Sequence, residues 1–157
     1  MAFLLGTEAF ITILQPAPES HPVIRWKRTV PNHQVFVSVI SIGEVIDAYA
    51  RLPAGQSMIR AAWERRVREQ VPGAFFGRIL DVDQRTAEIW ALLRAAASPR
   101  LSTEDALLLA TARAHGHVYI GTRPPGSAHL DVVCLDPLSL AVELPDHGML
   151  AQDQRGS

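Results

Sequence analysis

Cysteine is all but absent from this chain: its 157 residues include one, Cys134. A lone cysteine forms no internal disulfide. It argues against a disulfide scaffold or a structural zinc cluster and fits a reducing, cytoplasmic setting. Within Val132-Val133-Cys134-Leu135 it reads as a buried strand residue. Long apolar runs are absent as well. No stretch approaches the roughly 18 residues of a membrane span, and Met1-Ala2-Phe3-Leu4-Leu5 lacks the basic lead and long apolar core of a secretory signal. No contact with a membrane is expected. Neither sign of charge is in excess: 15 basic and 16 acidic residues leave a net charge of −1. Bulk charge therefore does not mark a nucleic-acid binder, although a local patch could still serve as one. The sequence has no glycine-rich phosphate loop, no G-x-S-x-G elbow and no histidine pair at metalloprotease spacing. Hydride transfer and acyl transfer thus find no support.

What is present is an ordinary globular composition, 48% apolar, at the length of one domain. A chain of this size buries roughly 70% of its unfolded surface and can hold a core unaided. Apolar, β-branched runs at 2–5, 34–39, 78–82, 117–121 and 130–135 predict five strands. Between them lie predicted helices at 8–14, 23–30, 41–52, 56–71, 84–97 and 102–115. The prolines of 15–22, Pro53-Ala54-Gly55, Pro72-Gly73 and Ser98-Pro99-Arg100 punctuate the chain. Asp83 is placed to cap the helix from Gln84, and Gly116 to close the one ending at His115. Strands alternating with helices predict an α/β fold, a mainly parallel five-stranded sheet covered on both faces. The domain is expected to occupy 1–137, with 138–157 an extension whose end, 152–157, reads as unstructured.

In open parallel sheets, ligands bind beyond the C-terminal ends of the strands. The residues there are Gly6, Thr7 and Glu8 after the first strand, Ser41 and Glu44 after the second, and Gly121, Thr122 and Arg123 after the fourth. Glu104 and Asp105 open the helix before the fourth strand. Carboxylates meeting at such an edge would suit Mg²⁺ or Mn²⁺, which prefer hard oxygen ligands, and an ion held there activates water and steadies phosphate charge. A plainer reading stands beside this one. Ser41-x-x-Glu44 and Ser102-x-x-Asp105 have or approach capping-box spacing, so both acids could simply satisfy helix N-termini.

At these residues the chain resembles a known family. Ser38-Val39-Ile40-Ser41-Ile42-Gly43-Glu44-Val45 is similar to the second acidic motif of PIN domains of the VapC toxin type. Gly77-Arg78-Ile79-Leu80-Asp81-Val82-Asp83 resembles the middle of that family, Ser102 to Ala112 its third acidic motif, and Thr122-Arg123 the start of the fourth. The resemblance runs from Phe3 to about Pro137. It implies a PIN-like α/β/α sandwich and a Mg²⁺-dependent endoribonuclease, commonly a homodimer and commonly a toxin held by an antitoxin protein. Carried over by position, Glu44 and Asp105 match family acids and Thr7 a family threonine. The pattern then departs. The family's first acid position holds Gly6 and its asparagine position Glu8, while Pro124-Pro125-Gly126-Ser127 stands where an asparagine and a further acid are expected.

Two of the four expected acids are thus missing, unless Glu8 or Glu104 stands in. The candidate catalytic set is Glu44, Asp105 and Glu8. The candidate Mg²⁺ or Mn²⁺ ligands are these three and Glu104. Arg123, Thr122 and Thr7 are the candidates for holding an RNA phosphate. The arginines Arg60 to Arg68 around Trp63 read as a solvated face, with Trp63 and Trp90 as packing residues. Three functions stay open: a reduced ribonuclease, an inactive domain that binds an antitoxin-like partner, and an inactive domain that binds RNA.

Overall fold

The structure, a computed structural model, describes residues 1–139. The expected extension and its unstructured end therefore lie almost wholly outside the described residues. Five strands, β1 (Phe3–Leu5), β2 (Val35–Ser38), β3 (Ile79–Leu80), β4 (Val118–Ile120) and β5 (Cys134–Leu135), form one sheet in the order β3-β2-β1-β4-β5. Every pairing is parallel, with Phe3 opposite both Val35 and Val118, Val37 opposite Ile79 and Tyr119 opposite Cys134.

The strands are short, and their side chains alternate between two cores. Leu5, Val35, Val37 and Ile120 join Ala9, Phe10, Val23, Val45, Tyr49, Val67, Val71 and Phe75 on one face. That face is covered by α1 (Thr7–Leu14), α2 (Pro22–Thr29), α3 (Val39–Ala50), α4 (Ser57–Arg65) and α5 (Val71–Ala74). On the other face Leu4 and Tyr119 meet Leu93, Leu101, Leu108 and Leu109 from α6 (Gln84–Ala96), α7 (Thr103–His115) and the turn between them. The result is the expected α/β/α sandwich. Among the described residues no helix is long and apolar enough to cross a membrane.

Three local expectations need correction. The helix expected to open at Ser41 opens at Val39 instead, because Ser38 ends the strand and caps the helix, accepting from the Ile40 N–H at 3.1 Å. Pro72-Gly73 does not end the arginine-rich helix. A π turn over Arg66–Gln70, closed by the Val71 N–H on the Arg66 carbonyl, leads directly into α5. Pro72 falls in the first turn of α5, where a missing N–H is tolerated. The fifth strand is two residues long, and 130–133 reaches it as irregular chain.

Trp63 and Trp90 both pack against the cores as expected. Along the arginine run, Arg68 pairs with Glu64 at 3.1 Å, Arg66 lies over the Trp63 ring and Arg60 donates to the Leu52 carbonyl. Cys134 is half-buried in β5, and burial pushes its thiol pKa up.

Candidate active site

The middle strand β1 has β2 on one side and β4 on the other. The chain therefore switches direction across the sheet at β1 and β4, and a cleft opens there. The cleft has a volume of about 350 Å³ and is lined by Gly6, Thr7 and Glu8 from the start of α1, Glu44 from α3 and Asp105 and Leu108 from α7. Tyr119 and the segment from Gly121 to Pro125 complete it. Glu44, Asp105, Glu8, Thr7, Thr122 and Arg123 thus share one cavity. Glu104 does not. It is exposed and lines a neighbouring hollow with Val39, Gly43, Glu44 and Asp47.

Glu44 owes its position to the early start of α3. Counted from Val39 it is the sixth helical residue, too deep to reach the free N–H groups of the first turn. The capping reading therefore fails for Glu44. Its partner is Thr7, whose hydroxyl donates to Glu44 Oε1 at 2.8 Å. A hydroxyl has one proton, so the 2.9 Å contact between Thr7 Oγ1 and the buried Ser41 Oγ has Ser41 as donor. In this structure the Thr7 hydroxyl proton is thus held by a carboxylate. Burial raises the pKa of Glu44, the Thr7 bond opposes this, and the charges of Glu104 and Asp105 raise it further.

Asp105 keeps half of the capping reading. Its backbone N–H donates to Ser102 Oγ at 3.1 Å, which caps α7, while its half-buried side chain lines the cleft. Glu8, the second residue of α1, is exposed at the rim.

The two remaining phosphate candidates are also engaged within the chain. Arg123 donates from one terminal nitrogen to the Ser127 carbonyl at 2.9 Å and from the other to the Val132 carbonyl at 2.7 Å. It fastens the loop that leads into β5 rather than presenting a free fork to the cleft. Thr122 donates to Asp136 at 3.2 Å. Ser127, near the expected fourth acid, is fully buried, and its hydroxyl closes a turn on the Pro124 carbonyl at 2.5 Å.

The residues present do not match a metal held by a trio of carboxylates. Among the described residues no three Asp, Glu, His or Cys side chains come close enough together to hold an ion. Where a residue-6 side chain would project into the cleft stands the phenol of Tyr119. A Cβ on Gly6 would lie 2.6 Å from its hydroxyl oxygen. Tyr119 was missed by sequence reasoning, and Ser41 was named at this edge only as a helix-opening residue, although each carried a further signal. Strand alternation aims Tyr119 away from Val118 and Ile120, and Ser41 is a lone hydroxyl on the apolar face of α3.

The family profile described as PIN domain matches residues 3–124. The chain is 28% identical over 138 residues to Toxin FitB of Neisseria gonorrhoeae, covering 85% of this chain and 96% of that protein. The crystal structure of FitAcB from the same organism superposes with a TM-score of 0.73 at 28% identity, over 87% of this chain and 98% of that one. VapBC2 of Rickettsia felis, solved on a DNA fragment from its promoter, shares the fold with a TM-score of 0.64 at 14% identity, over 87% of this chain and 98% of that one.

Proposed function

This chain belongs to the PIN-domain family, and on that premise we propose that it is the toxin-type half of a toxin–antitoxin pair whose inherited activity, Mg²⁺- or Mn²⁺-dependent endonucleolytic cleavage of RNA, is weak or lost. One observation carries the proposal. Glu44 and Asp105 line a cleft at the C-terminal edge of a parallel sheet, where such folds bind ligands, yet the residue that follows the strand beside them is a glycine. Any residual activity rests on Glu44 and Asp105, with Glu8 at the rim as the third acid. Burial that favours the protonated form of Glu44 weakens that set further.

The test is incubation of a mixed, structured RNA with the purified chain in Mg²⁺ or Mn²⁺, with chelator and the Asp105→Asn variant as controls. Expected is no cleavage, or slow cleavage that needs protein in excess and disappears with either control. Rapid multiple turnover would sink the proposal. Cutting that survives Asp105→Asn belongs to a contaminant.

A second reading, a catalytically silent domain that binds an antitoxin-like protein, is favoured by a different feature. An apolar groove of about 170 Å³ lies between α1, α3 and α4, lined by Ile11, Val45, Tyr49, Leu52, Ile59 and Trp63. Ile59 is 49% exposed and its neighbour Met58 87%, so the groove presents apolar surface of the kind that an apolar helix face covers. Co-expression with the product of an adjacent small open reading frame tests it. Ile59→Asp should abolish co-purification while leaving the chain folded. A homodimer is proposed for either reading.

A further inference from the structure

Tyr119 is the middle residue of β4 and only 6% exposed, yet its ring lines the cleft beside Gly6, Glu44 and Asp105. Burial, and then the charges of Asp105, Glu44 and Glu8 among its neighbours, hold the phenol protonated well above its usual range. The hydroxyl therefore enters this cleft neutral, with Glu8, Glu44 and Asp105 among the residues lining it.

The backbone does not demand a glycine at residue 6. Its φ of −65° and ψ of 160° suit any L residue. The demand comes from what surrounds it. A Cβ there would lie 2.6 Å from the Tyr119 hydroxyl oxygen and 2.9 Å from the ring carbon that bears it, with the Ile120 carbonyl oxygen at 2.8 Å. Two of these three approaches belong to the phenol. The third, 2.8 Å from a backbone oxygen, remains when the ring is gone, so a Cβ here also requires β1 and β4 to shift apart.

We infer that Tyr119 has taken the room of a residue-6 side chain in the cleft that Glu44, Asp105 and Glu8 line, and that its ring shuts this cleft to a divalent cation. Gly6 and Tyr119 form a locked pair. The phenol brings bulk and a hydrogen-bond donor to a place where a hard cation needs charge and oxygen acceptors. A carboxylate restored at residue 6 cannot be accommodated until the ring is gone. The inference builds on the reading of the cleft as a weakened acidic centre, but it is tested without RNA.

The experiment compares the parent with Gly6→Asp, Tyr119→Val and the double variant. Thermal melting and Mn²⁺ titration followed by the spin-resonance signal of the free ion are both recorded. Gly6→Asp alone is expected to melt below the parent and to bind Mn²⁺ no better. In the double variant the loss in melting temperature is smaller than the sum of the single losses. Mn²⁺ binding there tightens roughly tenfold or more, since affinity follows the number of charged ligands. If Gly6→Asp does not fold, Gly6→Ala with and without Tyr119→Val carries the steric half. A Gly6→Asp protein that melts with the parent and binds Mn²⁺ as tightly as the double variant would overturn the inference. So would tight Mn²⁺ binding by the parent, or a folded double variant that binds none. Brisk RNA cleavage by the parent bears on the proposed function, whereas the coupling between residues 6 and 119 is decided by the melting temperatures.

Discussion

A carboxyl group that is half-buried, leans on one hydroxyl and faces two other acids is a liability to the fold when ionised. Glu44 is in that position, its pKa raised first by burial and opposed by Thr7. The sign follows from linkage. A carboxyl raised in the folded state costs nothing below its ordinary value of about 4.3 and costs its full amount once the pH passes the raised value. Glu44→Gln keeps an oxygen for Thr7 and removes the charge. It should therefore melt above the parent at pH 7 by no more than a few degrees, with the gap closing toward pH 4. Melting curves across that range check this, and a gap that widens in acid refutes it. Arg123 carries the opposite expectation. Removing its two bonds to the Ser127 and Val132 carbonyls by Arg123→Ala should cost about 2–4 kcal/mol, a fall in Tm on the order of 5–10 °C, and lysine should not restore it. At this scale the sequence told less than it seemed to. Glu44 and Asp105 were legible because acids three residues after a serine near an expected helix start draw attention. Arg123 and Thr7 were legible as cleft residues, but not the partners that occupy them, since a hydrogen bond across 9 or 37 positions leaves no local pattern.

At the scale of elements, the start of α3 matters most to the site. Ser38 ends β2 and caps α3 in one step, so the helix begins without a loop and delivers Ser41 and Glu44 to Thr7. Ser38→Ala should cost about 1 kcal/mol, the usual worth of such a cap, or about 2–4 °C in Tm. Loss of that cap also frees the first turn of α3, so the Thr7 to Glu44 contact should loosen with it. Differential scanning calorimetry reads the first effect. The sequence showed a serine–glutamate pair three residues apart and placed the cap at the wrong serine, because Val39-Ile40 are β-branched residues that read as strand. A strand running straight into a helix offers no breaker to read. Asp83 and Gly116 were read correctly as helix ends for the converse reason. Asp83 accepts from the Thr86 N–H at 2.8 Å, and Gly116 takes a φ of +66° that glycine adopts without strain.

For the molecule as a whole, layering was legible because the strands are uniformly apolar and helices separate them, a combination that only a parallel sheet covered on both sides can bury. The order of strands was not, since nothing local says that β4 returns to lie beside β1 rather than beside β3. That return creates the cleft, and it also puts β3 and β5 on the outside, each only two residues long. Strands so brief offer another chain almost no row of unpaired amides to dock against. Among the described residues, then, the sheet is poorly suited to growing by edge-to-edge addition into fibres or strand-swapped aggregates. Among these residues, a second copy or a partner would have to engage surfaces other than a sheet edge.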